Sequence, residues 1–187
     1  MKEHKDTDAN APPPSPQDGT PRVRELLLMR SGGQAFAIYA EETEGVAEGL
    51  KLAPLPHAPR AVLGIVCVRG RMYTLLDPPA LAGLQGVDSA APLHEDQRTD
   101  EDERKDKDRK ETPRFVVTLR GDEQLALAAD HIEGALEVSA GALETPDHAA
   151  HALRATLERD GTRILVLDPT HLFDAAMQGT ERRRRRQ

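Results

Sequence analysis

Residues 70–78 read Gly-Arg-Met-Tyr-Thr-Leu-Leu-Asp-Pro, and residues 161–169 read Gly-Thr-Arg-Ile-Leu-Val-Leu-Asp-Pro. The glycine, the apolar run and the closing Asp-Pro pair return after a shift of 91 positions, from 70 to 161. A period this long exceeds the periods of solenoid repeats and is typical of a duplicated subdomain. The sequence therefore predicts two related halves.

A second match precedes the first one in both halves. Residues 34–38 recur near residues 124–127, and the pair Gly45-Val46 recurs near Gly134-Ala135. Because the matches keep the same order, we expect function to depend on where the two halves meet and where they differ.

Short apolar stretches separated by glycine-marked turns are typical of β-hairpins. Closing five such strands into a small barrel removes the exposed sheet edges. We therefore predict a mainly β fold of two five-stranded SH3-like or OB-like barrels with short helices. The expected strands are residues 23–29, 34–39, 61–68 and 72–76, then 115–119, 124–128 and 164–167, with a further strand near Leu157. We expect residues 61–68 to be buried on both faces, and residues 149–156 to form a short helix.

The two Asp-Pro pairs indicate where helices begin. Aspartate can accept hydrogen bonds from the free N–H groups of a helix N-terminus, and proline fits the first helical position because it has no N–H to lose. We expect Asp77 to cap a helix over residues 78–84 and Asp168 to cap one over residues 169–177. Capping explains both carboxylates without a catalytic role.

Composition divides the chain into ordered and flexible parts. Residues 1–20 are polar and proline-rich, so they bury too little apolar surface to offset the entropy lost on ordering. The charged run at 100–111 has no apolar stripe and is interpreted as a linker. The predicted organisation is a flexible tail (1–20), a first barrel (22–85), a flexible insert (86–112), a second barrel (113–179) and a basic tail (180–187).

No pattern in the chain indicates catalysis or a cofactor. A phosphate-binding glycine loop and a nucleophile elbow are both missing from the sequence, and His148 with His151 provides only two of the ligands a zinc site needs. Cys67 cannot form an internal disulfide, and its apolar neighbours predict a buried side chain. No stretch has the length of a membrane span or a signal peptide, so we expect a cytoplasmic protein without metal or cofactor.

With this outline, the first half resembles the CheW-like coupling proteins of bacterial chemotaxis. The resemblance rests on Pro-Leu-Pro at residues 54–56, on Val-Leu-Gly-Ile-Val-Cys-Val-Arg-Gly at residues 62–70, and on Leu-Leu-Asp at residues 75–77. The second half resembles the family's second subdomain at residues 114–117, 127–134 and 164–168. The similarity covers about residues 22–178, so the CheW-like domain is expected over 22–179.

The resemblance implies a non-catalytic adaptor that links chemoreceptors to a CheA-type histidine kinase. It implies that the kinase's regulatory domain binds one barrel and that the cytoplasmic tip of methyl-accepting receptors binds between the barrels, without direct membrane insertion. It also implies recruitment to membrane receptor arrays. The implied receptor-binding residues are Arg69, Gly70, Ile65 and Val66, and the implied kinase-binding residues are Val46, Gly64 and Gly45.

Alternatives remain for these residues at this stage. The glycines can serve only to permit tight turns, Val46, Ile65 and Val66 can be core residues, and Arg69 can be a surface end-cap. Where the family commonly has an acidic residue directly before the Val46 position, this chain has Gly45.

Two other functions are considered for the whole chain. One is a diverged regulator of another two-component or motility pathway. The other is a small barrel that binds nucleic acid. We expect no nucleic-acid partner, because such barrels stack bases on exposed aromatics and this chain has three Phe, two Tyr and no Trp.

Overall fold

A computed structural model describes residues 23–84, 113–146 and 151–177. The fold is mainly β, as the sequence predicts. The strands are β1 (Val23–Ser31), β2 (Gln34–Tyr39), β3 (Thr43–Glu48), β4 (Leu52–Ala53), β5 (Val62–Val68), β6 (Arg71–Leu76), β7 (Phe115–Leu119), β8 (Leu125–Ala129), β9 (His131–Ser139), β10 (Leu153–Arg159) and β11 (Thr162–Leu167). The predicted tails 1–20 and 180–187 and the predicted insert 86–112 lie outside the described residues.

Helical segments are short. The α-helix α1 spans Pro78–Leu81, and 3₁₀ turns span Ala40–Glu42, Ala140–Ala142 and Pro169–His171. Residues 172–177 continue the last turn as a helix. The helix expected at residues 149–156 is wrong over its described part, because Leu153–Arg159 forms strand β10 and pairs with β11. Three buried positions in that strand, Ala155 to Leu157, obtain their packing from the sheet rather than from a helix face.

The strands form two sheets with the same internal plan. Sheet A has the order β10-β11-β2-β1-β9, and sheet B has the order β3-β7-β8-β6-β5-β4. Within sheet B, the order β5-β6-β8-β7-β3 matches the order β10-β11-β2-β1-β9 of sheet A when each strand is compared with its equivalent in the other half. Each sheet contains one parallel pair, β11 with β2 and β6 with β8. The internal duplication is therefore visible in the strand order as well as in the sequence.

The strand order differs from the expectation of one barrel per half. Sheet A joins β1 and β2 from the first half to β9, β10 and β11 from the second, and sheet B joins β7 and β8 to four strands of the first half. The limits 22–85 and 113–179 therefore do not bound the two barrels. The two parallel pairs produce this exchange of strands between the halves. The β1–β2 hairpin of the first half joins β11 of the second, and the β7–β8 hairpin of the second half joins β6 of the first.

Both sheets curl back on themselves. In sheet A, Glu144, which follows β9, pairs with Thr156 of β10 at the opposite edge. In sheet B, the Tyr73 hydroxyl of β6 donates a hydrogen bond of 2.7 Å to Glu44 of β3. A flat sheet would separate strands three places apart by about 14 Å, so this contact requires strong curvature.

Three apolar cores follow from this arrangement. One lies inside sheet A and one inside sheet B. A third lies between the sheets and contains Met29, Phe36, Leu127 and Leu167, each fully buried. Strand β8 is consequently buried on both faces. We call this third cluster the inter-sheet core.

The two Asp-Pro junctions are not capped alike. The Asp168 side chain accepts a hydrogen bond from the backbone N–H of Thr170 at 3.1 Å. Asp77 occupies the equivalent position before α1, but its side chain forms no capping hydrogen bond with the described residues. The expected side-chain cap is therefore present at Asp168 and absent at Asp77. The helix at Asp77 also ends earlier than expected, at Leu81.

Candidate functional site

The tip of the β5–β6 hairpin carries Arg69 and Gly70. Both residues have positive φ, 50° and 81°, which is the backbone of a two-residue hairpin turn closed by Val68 and Arg71. Arg69 is exposed, and its guanidinium forms no hydrogen bond or ion pair with the described residues. An L-residue other than glycine rarely adopts positive φ, so the turn presents an unpaired cation in a conformation that disfavours most side chains.

The outer face of this hairpin is apolar and exposed. Cys67 is exposed and lies directly opposite Met72, which is 63% exposed. The expectation that Cys67 is buried is therefore wrong, and so is the expectation of a strand buried on both faces. The reason is the alternation of strand positions: Val66 and Val68 point into the core of sheet B, so Cys67 between them points outwards.

The equivalent hairpin of the other half has a different outer face. Its turn repeats the backbone, with Asp160 at φ 51° and Gly161 at φ 71°. At the positions of Cys67 and Met72, however, it pairs the charged residues Glu158 and Arg163. The exposed apolar pair is therefore a property of the β5–β6 hairpin alone, although the two hairpins share one fold.

The outer face of the hairpin leads into the inter-sheet core. Met72 and Thr74 lie on the same face of β6 as Leu76, which belongs to that core. Thr74 pairs with Leu125 of β8. Leu125 in turn lines a cavity of about 300 Å³, bounded also by Leu119, by residues 120–124 and by Pro169 and Thr170. The cavity lies where the β7–β8 turn of sheet B faces the chain that follows sheet A.

Strand β3 places Val46 at the edge of sheet B. Val46 is 40% exposed and lies opposite Val117, a fully buried member of the inter-sheet core. Gly45 accepts a hydrogen bond from the Thr118 hydroxyl through its carbonyl at 3.0 Å. Val46 and the β5–β6 hairpin therefore both border the inter-sheet face of sheet B.

Two of the residues expected to bind partners are not accessible. Val66 is 1% exposed inside sheet B, so a direct receptor contact through its side chain is contradicted. Gly64 is buried beside the edge strand β4, with φ of 153°, and a Cβ there would lie 2.4 Å from the Ala53 carbonyl oxygen. Its glycine is required by this close approach. Ile65 is half-buried on the outer face.

Glu44 is a residue of this region that sequence reasoning missed. It lies at the β-bulge of β3, accepts a hydrogen bond from the Tyr73 hydroxyl and forms a 3.2 Å ion pair with Arg71. The hydrogen bond to Glu44 raises the pKa of Tyr73. These contacts join the strand of Val46 to the hairpin that ends in Arg69. The repeat offered a signal, because Glu133 precedes Gly134 as Glu44 precedes Gly45, and Glu133 also pairs with an arginine, Arg30.

No metal-binding arrangement occurs in the described part of the chain. Within residues 23–84, 113–146 and 151–177, no three His, Cys, Asp or Glu side chains could together hold a metal ion. His151 is exposed, and His148 lies outside the described residues. In the same ranges, the helices are all too short or too polar to cross a membrane.

Two curated proteins are similar to part of this chain. The chain is 31% identical over 65 residues to the chemotaxis protein CheW of Rhizobium meliloti (strain 1021), which covers 35% of this chain and 42% of that protein. It is 28% identical over 68 residues to a probable chemotaxis protein CheW of Rhizobium etli, covering 36% and 44%. These matches span less than half the length of either relative.

The fold is that of a solved structure. The scaffolding protein TtCheW from Thermoanaerobacter tengcongensis superposes with a TM-score of 0.59 at 11% identity, over 82% of this chain and 94% of that one. The family model described as the CheW-like domain matches residues 25–177. The duplicated strand order and this match agree: the chain belongs to the family of CheW-like domains.

Proposed function

We propose that this chain is a non-catalytic scaffold that couples chemoreceptors to a CheA-type histidine kinase in chemotaxis signalling. The observation that carries the proposal is the β5–β6 hairpin, whose exposed Cys67–Met72 pair stands where the other half has the charged pair Glu158–Arg163. Beside it lies Arg69, whose guanidinium has no charge partner among the described residues. Exposed apolar surface beside an arginine is typical of protein-binding surfaces. The proposed location is the cytoplasm, at receptor arrays.

The receptor side of the proposal is the hairpin tip. A receptor helix can place its apolar face on Met72 and Ile65, while Arg69 meets a carboxylate or a helix-terminal carbonyl. Gly70 provides the positive φ that the tip requires. Val66 then contributes indirectly, because its side chain packs in the core of sheet B and supports the strand that carries Ile65.

The kinase side of the proposal is the edge strand β3. Val46 is the exposed apolar residue there, and Gly45 leaves the strand edge open beside it. Gly64 contributes through the backbone, because only glycine allows the Ala53 carbonyl of the paired strand β4 to approach β5 so closely at this point. The regulatory domain of the kinase is the proposed partner of this edge.

The receptor assignment is tested by reversing the charge at the tip. Arg69→Glu should weaken binding to the cognate receptor's cytoplasmic fragment by about tenfold or more and leave the melting temperature nearly unchanged. The matched control is Asp160→Lys, which changes the charge at the equivalent turn residue of the other half and should leave receptor affinity within about twofold. Calorimetric titration measures both. Equal receptor affinity for wild type and Arg69→Glu would refute the role of Arg69.

The kinase assignment has a parallel test. Val46→Glu should weaken binding to the CheA regulatory domain by about tenfold, whereas Ala135→Glu, at the equivalent position of β9, should not. Wild-type protein that binds neither a receptor fragment nor a CheA domain from its own cell would overturn the adaptor proposal as a whole. Binding to a different signalling kinase would favour the diverged regulator instead.

A further inference from the structure

The chain first passes from sheet A to sheet B through the 3₁₀ turn Ala40–Glu42, which joins β2 to β3. We call this segment the crossover turn. Its N-cap residue, Tyr39, provides no side-chain capping hydrogen bond, and at its other end the Thr43 hydroxyl donates to the Ala40 carbonyl at 2.8 Å. Its direction determines where β3 begins, and therefore where Gly45 and Val46 lie relative to sheet A.

Arginines from sheet A hold the crossover turn. Arg154 of β10 forms ion pairs of 2.8 Å with Glu42 and with Asp168 through its two terminal nitrogens. Arg24 of β1 forms a 2.8 Å ion pair with Glu41. Both guanidinium carbons lie 4.9 Å from the centre of the Tyr39 ring, which immediately precedes the turn. The turn is thus fixed by two charge contacts and one shared aromatic ring.

The two arginines differ in burial and in partners. The side chains of Arg154 and Glu42 are 28% and 24% exposed, against 43% and 68% for Arg24 and Glu41. Charge contacts that are partly shielded from water are stronger than exposed ones. Partial burial would lower the pKa of Arg154, but its hydrogen bonds to Asp168 and Glu42 raise it, so it stays charged.

The Glu42 carboxylate is held at a cost. Its second oxygen, Oε2, is buried without a hydrogen-bond partner among the described residues. Burial raises the pKa of Glu42, although Arg154 opposes this. A buried unsatisfied oxygen costs stability, so the Glu42–Arg154 contact is better explained by positioning than by stabilisation.

The second passage between the sheets is built differently. There β8 leads to β9 through Asp130, which binds the first half by a backbone hydrogen bond to the Arg30 carbonyl and a side-chain contact with the N–H of Gly32. The link is a single residue, and the nearby Arg30 side chain forms one ion pair among the described residues, with Glu133. The passage that leads into Val46 differs because Arg154 is shared between two carboxylates, Glu42 and Asp168.

We propose that Arg154 is a positioning residue that sets the start of β3, and so presents Val46 and Gly45 to the partner that binds this edge. The kinase identity of that partner rests on the proposed function. Sheet B contributes the opposing support, because the Arg120 side chain donates to the Thr43 carbonyl at 2.8 Å. The loss of Arg154 leaves only the exposed Arg24–Glu41 ion pair as a charge contact from sheet A to the crossover turn among the described residues.

The test uses Arg154→Met, which keeps an aliphatic chain on Tyr39 and removes both ion pairs. Amide hydrogen exchange at Thr43, Gly45 and Ala47 should become about tenfold faster, while exchange in β5 and β6 stays within about twofold. Arg24→Met is the matched control. It also removes a cation from the Tyr39 ring, but it breaks only one exposed ion pair. Amide exchange in β3 of this variant should stay within about twofold of the wild-type rate.

A second variant separates positioning from an unpaired charge. Of the two carboxylates that lose their arginine, Arg154→Met/Glu42→Gln removes the one with the buried, unsatisfied Oε2, so global stability should return in part while β3 exchange stays fast. Full return of β3 exchange to the wild-type rate, or equal acceleration in β3 and β6 of the single variant, would overturn the proposal.

Binding completes the test on the full chain. Arg154→Met should lower affinity for the CheA regulatory domain about fivefold and leave affinity for the receptor fragment within about twofold. Unchanged kinase-domain affinity despite fast β3 exchange would overturn the presentation of Val46. If the wild type binds no kinase domain, the proposed function fails, whereas the exchange experiment still decides whether Arg154 positions β3.

Discussion

Asp168 and Asp77 follow equivalent strands and precede a proline in the same way. Their carboxylates nevertheless lie in opposite electrostatic environments. Although burial alone would raise it, hydrogen bonds from Arg154 and Thr170 lower the pKa of Asp168 to about 2. Burial and the charge of Asp130 raise the pKa of Asp77, while the charge of Arg60 opposes this rise. The same two-residue motif thus holds a stabilised carboxylate in one half and a disfavoured one in the other.

The difference comes from one position in the neighbouring strand. Arg154 is the extra residue at the bulge of β10, and the equivalent bulge residue of β5 is Leu63. Leu63 packs against the core of sheet B, so no cation is available at Asp77 from that position. A duplicated backbone therefore acquires different chemistry where a bulge lifts a side chain out of the regular alternation.

The largest effect expected from breaking the equivalence is at Gly64, whose counterpart in β10 is Ala155. Gly64→Ala should lower the free energy of unfolding by about 2–4 kcal/mol, because the new Cβ would lie 2.4 Å from the Ala53 carbonyl oxygen at a φ of 153°. Ala155→Gly should cost only about 1 kcal/mol. Urea denaturation measures both. A smaller loss at Gly64 than at Ala155 would mean that the Ala53 carbonyl does not approach Gly64 as described.

The Asp-Pro comparison predicts substitutions of opposite sign. Asp168→Asn should lower the free energy of unfolding by about 1–2 kcal/mol, because it weakens charge-assisted hydrogen bonds with Arg154 and Thr170. Asp77→Asn should raise it by up to about 1 kcal/mol, because it removes a charge that burial disfavours. Chemical denaturation at pH 7 decides the signs. Losses of equal size at both positions would contradict the electrostatic difference.

The same pair separates in its pH dependence. The Asp168 pKa is depressed, so its contribution to stability is present above pH 3.8 and is lost as the pH falls towards about 2. The Asp77 pKa is raised above 3.8, so its unfavourable contribution is present at neutral pH and disappears on acidification. The deficit of Asp168→Asn should therefore persist to lower pH than the gain of Asp77→Asn. Thermal unfolding of both variants across this pH range tests the order. A gain from Asp77→Asn that persists to lower pH than the deficit from Asp168→Asn would contradict these pKa directions.

The sequence carries the local features of this fold better than the pairing of its halves. The hairpins at residues 23–39, 61–76 and 115–128 follow from apolar periods and turn glycines, which act within a few residues. The exchange of strands between halves depends on the parallel pairing of β2 with β11 and of β6 with β8. Such pairing joins residues 129 positions apart in the first pair and 51 positions apart in the second, so no local pattern encodes it.

The candidate site also has features that the sequence predicts and features that it does not. Arg69 and Gly70 are recognisable from their place after an apolar strand. The exposure of Cys67, the burial of Val66 and the contacts of Glu44 depend on which face of β5 meets the core and on how sheet B closes. A uniformly apolar run cannot indicate its own inward face, because alternation of polarity is the only sequence signal for it.

The smallest expected effect concerns the outer faces of the two equivalent hairpins. Cys67→Ser should change the free energy of unfolding by less than about 0.5 kcal/mol, because the side chain is exposed and packs outside the core of sheet B. The native protein should also react with a thiol reagent at the rate of an unfolded control within about tenfold. Binding of the receptor fragment should slow this reaction, whereas no protection would place the receptor away from the Cys67–Met72 face. If labelling required unfolding, Cys67 would be buried, and the β5–β6 hairpin would not have the exposed apolar face that distinguishes it from the Glu158–Arg163 hairpin.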